Sequence, residues 1–446
     1  MSREPFPTRT PRERVIVCGV RFPEDPAEFG GELAEVRALV AAAEADVVGE
    51  SIVQNRSRAH PATLFGKGKV EEVMEEVTRH EPDAVVVDND LTPAQGRNLE
   101  AAWGRRVIDR SELILDIFTR RAQTRQARLQ VELAQNEYMF PRLRRMWTHL
   151  ERMEGAIGAR GPGETQLETD RRLLLKRIHD LKGELKVIEK RKQREVATRR
   201  DQFTIGLVGY TNAGKSTLLN KLTGSNELVA DMPFATLDTR TRQWKLDDGR
   251  ILLLSDTVGF LQRLPHHLVA SFHATLEETI HADMIMHVVD ASHPDAAVQM
   301  QAVDEVLASL SSSLVPDILV FNKVDRVEDP ISLHLLLESC EQDVVYVSAR
   351  SGDGLDRLVR AVTERLDSHA SLVDVFVPTS DGKAIALVRA LGGMVEQEIM
   401  DEEMRIQSRL TDGALGNLRR QCGPDVRFEI QPPARSPLTS GDGLAG

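Results

Sequence analysis

A glycine-rich segment at residues 209–216 constrains this chain more than any other feature of its sequence. It reads Gly-Tyr-Thr-Asn-Ala-Gly-Lys-Ser, follows the apolar run 203–208 and precedes the helical pattern 217–222. In this G-x-x-x-x-G-K-S motif, main-chain N–H groups and the N-terminus of the helix surround the phosphates of a nucleotide. Because five further apolar strand patterns alternate with helical stretches up to Asp367, residues 201–368 are predicted to form an α/β nucleotide-binding domain.

The residues of this loop have separate predicted roles. Lys215 is expected to reach the β- and γ-phosphates, and the hydroxyl of Ser216 is expected to bind Mg²⁺. Further nucleotide contacts are predicted at Gly209, Tyr210, Thr211, Asn212, Ala213, Gly214 and Thr217.

Two later segments match the elements that respond to a γ-phosphate. Thr236 lies in a polar loop, whereas Asp256 and Gly259 form a D-x-x-G sequence at the end of an apolar strand. The carboxylate can hold a water bound to Mg²⁺, and the N–H of Gly259 can meet the γ-phosphate. We therefore predict Lys215, Thr236 and Gly259 as catalytic residues, and Ser216, Thr236 and Asp256 as metal ligands. Neighbouring nucleotide contacts are predicted at Phe234, Ala235, Thr257 and Val258.

The sequence N-K-V-D at 322–325, at another strand end, predicts which base is bound. Asp325 can accept hydrogen bonds from N1–H and the exocyclic amine of guanine, whereas adenine would leave that carboxylate unpaired. Asn322 suits the opposite edge of guanine, and the stem of Lys323 can cover the base or the ribose. Further contacts are predicted at Ser348, Ala349 and Arg350. The motifs together predict a Mg²⁺-dependent site for GTP and its product GDP.

Phe260 directly follows the D-x-x-G sequence. Many Ras-like GTPases have a glutamine there, which orients the attacking water. Since a phenylalanine side chain cannot hydrogen-bond a water, we expect slow intrinsic hydrolysis that accelerates when a partner orders the site.

Two units are predicted before the nucleotide-binding domain. Residues 13–110 alternate short apolar runs with helical stretches, which indicates a small α/β domain with a largely parallel sheet. Residues 111–200 contain two heptad stripes of apolar side chains, separated by a glycine-rich stretch at 155–163. This pattern predicts an antiparallel coiled-coil hairpin with a glycine-rich tip. Pro141 lies inside the first stripe and predicts a kink.

A further unit is predicted after the nucleotide-binding domain. Residues 369–431 show the order βαββαβ, which is typical of a small α+β sandwich. The terminal segments 1–12 and 432–446 are rich in proline and are predicted to be disordered. The predicted fold class is therefore α/β: a Ras-like P-loop domain preceded by a small α/β domain and a helical hairpin, and followed by an α+β domain.

The hairpin differs in charge from the rest of the chain. Residues 120–200 contain 21 Lys and Arg against 11 Asp and Glu, a local charge of +10, whereas the remaining residues together carry −22. A basic arm on an acidic body favours binding of a polyanion, because contacts to phosphates release counterions. The alternative is a solvated coiled-coil face, where long basic side chains are common.

Three segments outside the nucleotide motifs resemble the HflX family, in the Obg–HflX branch of translation-factor-related GTPases. They are 64–72, reading LFGKGKVEE, 161–172, reading GPGETQLETDRR, and 264–272, reading LPHHLVASF. The resemblance covers roughly residues 13–430. It implies a GTPase that binds the large ribosomal subunit, whose ribosomal RNA is contacted by the N-terminal domain and the hairpin. It also implies hydrolysis stimulated by the ribosome, and a role in ribosome splitting, rescue or subunit association under stress.

Arg160 at the hairpin tip and the pair Arg171 and Arg172 are the predicted RNA contacts. The alternative function is a GTP-dependent protein-interaction switch that dimerises through the hairpin, since Asn136 is the kind of polar residue that fixes coiled-coil register. A tRNA-modification GTPase is disfavoured because no second catalytic cysteine or cofactor motif accompanies the nucleotide site. We expect a monomer and leave the dimer open.

The cysteine pattern and the apolar runs bear on location. Three cysteines (18, 340 and 422) are far apart and show no CxxC spacing, which argues against a disulfide framework or a zinc site and suits a reducing cytosol. The first residues lack the apolar segment of a signal peptide, and no apolar run is long enough to span a membrane. We therefore expect a cytoplasmic protein, with a membrane-associated fraction left open.

Overall fold

The computed structural model describes residues 12–23, 25, 33–143, 162–199, 202–225, 234, 240–257, 259–261, 282–311, 314–327 and 343–431. Its strands are β1 Arg14–Arg21, β2 Asp46–Val47, β3 Ile52–Asn55, β4 Ala84–Val87, β5 Arg106–Asp109, β6 Thr204–Val208, β7 Arg240–Lys245, β8 Ile251–Asp256, β9 Met284–Asp290, β10 Ile318–Asn322, β11 Asp343–Tyr346, β12 Ala370–Pro378, β13 Gly393–Met400, β14 Glu403–Thr411 and β15 Arg427–Ile430. Its helices are α1 Ala34–Ala42, α2 Lys67–His80, α3 Pro93–Trp103, α4 Arg110–Arg121, α5 Arg125–Met139, α6 Pro162–Arg199, α7 Lys215–Thr223, α8 Ala296–Leu310, α9 Leu355–Ser368, α10 Gly382–Leu391 and α11 Asp412–Gln421. The predicted disordered tails, apart from Arg12, lie outside the described residues.

The first sheet is parallel and has β1 near its centre. β4 pairs with one side of β1, β2 and β3 pair with its other side, and β5 extends the sheet beyond β4. All four residues of β4 are buried, as expected for a parallel strand that is covered on both faces. The predicted strand runs near residues 15, 47, 85 and 107 lie in this sheet. β3 was not predicted, because its sequence Ile-Val-Gln-Asn contains only two apolar residues.

The helical hairpin packs α5 against α6. Leu129 and Leu133 of α5 form an apolar cluster with Leu181 of α6, so the predicted stripes meet within one chain. α5 ends at Met139 and a 3-10 segment continues through Pro141, in agreement with the predicted kink. The glycine-rich break was predicted to extend to Gly163, but α6 already begins at Pro162. Proline is suited to the first position of a helix.

The hairpin tip at 144–161 lies outside the described residues. Asn136 donates from its side-chain amide to the carbonyl of Glu132, one turn earlier in its own helix, at 2.6 Å. This bond and the packing of both stripes within one chain give no support to the alternative of a dimerising coiled coil.

None of the described helices combines the length and the apolarity that a membrane crossing requires.

The second sheet holds the strand that precedes the glycine-rich loop. Its order is β11-β10-β9-β6-β8-β7. Five of these strands are parallel, apolar and predicted from the sequence, and their buried faces form a core with α7 and α9. β7 is the exception: it reads Arg-Thr-Arg-Gln-Trp-Lys, runs antiparallel to β8 and lies at the edge. Its polar sequence explains why apolar patterning did not predict it.

The third sheet confirms the predicted βαββαβ unit. Its order β13-β14-β12-β15 is antiparallel throughout, and α10 and α11 cover one face. Arg250 joins this unit to the second sheet, since its guanidinium bonds Asp367 of α9 at 2.6 Å and lies against Gly393.

The first sheet and the nucleotide-binding unit share a buried polar contact. The hydroxyl of Tyr210, in the glycine-rich loop, donates to the carboxylate of Glu35 on α1. Arg110 at the start of α4 is 2% exposed and pairs with both Glu35 and Asp88. Because a buried guanidinium must be paired to be tolerated, these carboxylates fix α4 next to the glycine-rich loop.

We expect Arg110→Ala to lower the free energy of unfolding by about 3–5 kcal/mol, because it leaves the buried carboxylate of Asp88 and the partly buried carboxylate of Glu35 without their cation. Urea denaturation measures the change. Arg120→Ala on the same helix is the control: its pairs with Glu44 and Asp116 are exposed, so we expect less than about 1 kcal/mol. Equal effects of the two substitutions would contradict the role given to the buried network.

Candidate nucleotide-binding site

The carboxyl ends of the parallel strands bring the predicted site residues together. Asp256 ends β8, Asp290 ends β9 and Asn322 ends β10, while Gly209 follows the last residue of β6. Since parallel neighbours end at the same edge of a sheet, their polar side chains face one crevice, where α/β sheets bind ligands.

The glycine-rich loop has a backbone that only glycine suits at its last turn. Gly214 has φ +94°, and a Cβ there would lie 2.2 Å from Nδ2 of Asn322. That amide donates to the carbonyl of Ala213 at 2.9 Å, and its oxygen accepts from the N–H of Ala349 at 2.9 Å. The loop is therefore held in shape by the strand end that was predicted to recognise the base.

The side chain of Lys215 bonds the main chain of its own loop. Its ammonium group is buried and donates to the carbonyl oxygens of Gly209 at 2.9 Å and Tyr210 at 2.8 Å. Burial lowers the pKa of this amine to about 8, although the carboxylate of Asp256 acts in the opposite direction. A cation held in this way, at the N-terminus of α7, is positioned for a polyphosphate.

Ser216 and Asp256 bring two oxygen ligands together. The Ser216 hydroxyl donates to Oδ2 of Asp256 at 2.5 Å, and Asp256 is fully buried. Mg²⁺ prefers oxygen ligands such as hydroxyl and carboxylate groups. Its remaining ligands are usually phosphate oxygens and waters. The pair therefore suits that ion. Within the described residues no group of three or more His, Cys, Asp or Glu side chains forms a separate metal site.

The D-x-x-G segment lies directly against the glycine-rich loop. The N–H of Thr211 donates to the carbonyl of Phe260 at 2.8 Å, and the N–H of Phe260 donates to the carbonyl of Gly209 at 3.1 Å. A Cβ on Gly259 would lie 3.1 Å from Nζ of Lys215. This glycine is therefore next to the amine that is predicted to hold the γ-phosphate. Thr257 acts differently, because its buried hydroxyl donates to the carbonyl of Leu207 and anchors the strand end.

Two phenylalanines next to the phosphate loop face the first sheet. Phe260 is 2% exposed and belongs to an apolar cluster with residues of α1 and α4. Phe234 is equally buried, and its ring meets Phe118 of α4 edge-on, with 4.5 Å between ring centroids. Phe260, which occupies the position of the water-orienting glutamine, thus packs against apolar side chains instead of facing the phosphates.

The predicted base pocket lies at the ends of β10 and β11. Asp325 is exposed, and a hydrogen bond from Ser348 holds the pKa of its carboxyl below its usual range. Arg350 is exposed nearby and lowers the same pKa. Lys323 adopts φ +61° and its amine bonds Asp290 at 2.7 Å, so that its stem is held in one direction.

The predicted residues of the phosphate loop, of the D-x-x-G segment and of the base pocket that the structure describes lie around this one edge of the sheet. Asn212 and Thr217 belong to the same loop and helix, Asn212 being exposed with φ +62°. Ala235, Thr236, Val258 and Arg160 lie outside the described residues. Arg171 and Arg172 are exposed on α6, and the guanidinium of Arg171 lies 5.1 Å from the centre of the Phe140 ring.

Sequence reasoning missed Asp290 and Glu35. Asp290 ends the apolar run Met284–Asp290 in the same way that Asn322 ends β10, so a polar residue closing a buried strand was the available signal. Glu35 had no such signal, because its partner Tyr210 is distant in the sequence and only the packing of α1 brings them together.

The pKa of Lys215 predicts how nucleotide affinity depends on pH. Since the triphosphate favours the protonated amine, affinity should be complete below the pKa of the empty site and fall above it. We expect the Kd for GTP to rise about tenfold between about pH 7 and about pH 9. Fluorescence titration measures it, with Lys215→Ala as the control that should lose this dependence. An unchanged Kd in the native chain would refute the assignment of the amine to the phosphates.

Three family models match the chain: "GTP-binding GTPase N-terminal" at residues 31–119, "GTP-binding GTPase Middle Region" at 121–199, and "50S ribosome-binding GTPase" at 204–323. The fold, the phosphate loop and these matches define a P-loop GTPase, which binds GTP and hydrolyses it.

Curated relatives identify the family. GTPase HflX of Magnetococcus marinus is 43% identical over 83% of this chain and 87% of its own length. GTPase HflX of Escherichia coli (strain K12) is 41% identical over 88% of this chain and 91% of its own. The chain therefore belongs to the HflX family. A solved GTP-binding protein from Sulfolobus solfataricus in complex with GDP is 22% identical, with a TM-score of 0.42 over 79% of this chain and 98% of its own.

Proposed function

We propose that this chain is a Mg²⁺-dependent GTPase that binds the large ribosomal subunit and couples its GTP cycle to ribosome splitting, rescue or subunit association. The observation that carries the proposal is the burial of Phe260. The crevice brings together groups for the phosphates, for Mg²⁺ and for guanine, yet the residue in the place of the water-orienting glutamine is packed against α1 and α4. Hydrolysis in such a site is slow until an external partner supplies the missing group.

Each residue has a role in this account. Lys215 and the loop amides hold the β- and γ-phosphates, and Gly259 donates its N–H to the γ-phosphate. Ser216, Asp256 and Thr236 hold Mg²⁺, which when bound neutralises charge that develops on the phosphates. Asp325 selects guanine, with Asn322 and Lys323 supporting the base pocket.

The charge of the hairpin indicates the chemistry of the partner. The segment 120–200 carries +10 on a chain of net charge −12, so the hairpin is the part that a polyanion attracts. Arg171 and Arg172 are exposed on α6. The family descriptions add weight, since the model that matches residues 204–323 is described as a 50S ribosome-binding GTPase. Ribosomal RNA supplies both the phosphates and a large surface that can order the site.

The test is GTP turnover by the purified chain with and without each ribosomal subunit. We expect large subunits to raise turnover by about 10³-fold and small subunits to leave it near the intrinsic rate. Replacing Arg160, Arg171 and Arg172 with alanine should lower the stimulation and its salt dependence, while the affinity for GTP is unchanged. Alanine at the exposed Arg357 and Arg360 of α9 is the matched control. Absence of stimulation at low salt would refute the proposed partner.

A further inference from the structure

The third sheet has one edge that is unusually apolar and exposed. β13 lies at this edge, and seven of its eight residues are exposed. Four of its large apolar side chains are exposed: Met394 is 44%, Val395 54%, Ile399 69% and Met400 49% exposed. An edge strand that carries exposed large apolar side chains marks a place where another chain can pair.

The opposite edge of the same sheet is protected. β15 has only four residues and carries Arg427 and Glu429. Arg427 is held over β14 by a bond to Glu403 at 2.6 Å. Short length and charged side chains are the means by which edge strands avoid pairing. Both edges are exposed, but β13 is twice as long as β15 and carries more of the exposed apolar side chains.

The outer side of β13 is available for main-chain pairing. Among the described residues β13 pairs with β14 alone, and after one irregularity between Met394 and Glu396 the register is regular up to the hairpin end at Met400. The segment from Glu396 to Met400 is therefore a regularly paired stretch of strand. Alternate N–H and C=O groups of such a strand point away from its partner and can accept an added strand.

Charge selects the kind of strand that can be added. Residues 393–404 contain no lysine or arginine and five carboxylates. Two of these are paired within the sheet, since Glu398 lies 3.9 Å from Arg405 and Glu403 bonds Arg427 at 2.6 Å, which leaves the negative charge of this edge mainly on Glu396, Asp401 and Glu402. A partner strand with basic side chains would meet these carboxylates favourably, since opposite charges across a strand pair stabilise it. A second copy of this chain would place its own acidic β13 against this one, which like-charge repulsion disfavours.

The C-terminal segment of this chain is also a poor occupant. It contains Pro432, Pro433 and Pro437, and proline has no N–H to donate to a ladder. It also continues from β15, at the other edge of the sheet.

We propose that β13 is a docking strand for an extended segment of another protein, in which lysine or arginine alternates with apolar residues. The segment adds to the sheet beside β13. Its basic side chains meet Glu396 and Glu398 on one face of β13, and its apolar side chains cover Ile399 on the other face. The proposal concerns a surface that is separate from the nucleotide crevice.

The test uses the full chain and a synthetic peptide in which lysine and valine alternate. Fluorescence anisotropy measures the Kd, and hydrogen exchange locates the peptide. We expect binding with slower exchange confined to residues 393–400. A peptide that alternates glutamate and valine should bind about tenfold or more weakly, as should the lysine peptide with alternate amides N-methylated. The N-methylated peptide keeps its charge but loses main-chain pairing.

Protein variants complete the test. Ile399→Ser should weaken the lysine peptide about tenfold. Ile430→Ser is the matched control, because Ile430 is 53% exposed on the opposite edge, and it should leave the Kd unchanged. GTP turnover of both variants should equal that of the native chain, which shows that they are folded. Absence of binding, equal affinity for the N-methylated peptide, or slower exchange elsewhere would overturn the proposal.

Discussion

Lys215→Ala will reduce the affinity for GTP by about a hundredfold or more, which corresponds to about 3 kcal/mol. The amine of Lys215 is the only charged donor that the described part of the phosphate loop directs inward, where it bonds the carbonyls of Gly209 and Tyr210. Alanine removes this cation and leaves the loop with main-chain N–H groups and uncharged side-chain donors. Burial makes the charged form of this amine less stable in the empty site, and a bound phosphate restores that stability. Loss of the amine therefore has a large effect on the affinity for GTP.

Lys221→Ala is the matched control for that variant. Lys221 lies on the same helix, α7, but it is exposed and near Gly352 rather than in the phosphate loop. We expect its Kd for GTP to equal that of the native chain. Equilibrium titration with a fluorescent GTP analogue measures both. If Lys215→Ala binds as tightly as Lys221→Ala, the phosphate site has been placed on the wrong residues.

Asp325→Asn is expected to change the preferred base. Guanine presents N1–H and an amine to the carboxylate, and the substitution leaves one of these donors facing another donor. We expect affinity for GTP to fall by roughly 10³-fold and affinity for XTP to rise, because xanthine presents an oxygen where guanine has its amine. Competition titrations of GTP against XTP measure the change in preference.

Asp325→Ala separates recognition from general damage to the pocket. It should weaken GTP and XTP alike, since it offers neither a carboxylate nor an amide. The hydrogen bond from Ser348 that lowers the pKa of Asp325 indicates that the carboxylate is ionised at neutral pH and ready to accept. An Asp325→Asn variant that keeps the native order of preference would show that another residue reads the base.

The nucleotide site could be predicted because its determinants are local in sequence. The phosphate loop is one continuous segment between a strand and a helix, and Gly214 is required there by its backbone conformation and the closeness of Asn322. Asp256 and Asn322 each end an apolar strand. Once the strands are parallel, the shared edge brings these residues together without further information.

The contacts between units could not be predicted, because they depend on packing between distant segments. The sequence predicts Tyr210 as part of the phosphate loop but not the bond from its hydroxyl to Glu35 of α1. Phe260 was recognised as unable to orient water, but its burial against α1 and α4 appears only in the folded chain. β7 escaped prediction for a related reason: its edge position needs no continuous apolar sequence.

The most direct test of the central claim is a crystal structure of this chain with Mg²⁺ and a non-hydrolysable GTP analogue. We predict the β-phosphate within the loop 209–216 beside Lys215, the ion on Ser216, and the guanine edge on Asp325. A triphosphate bound at another place in the chain, with this loop vacant, would contradict the account.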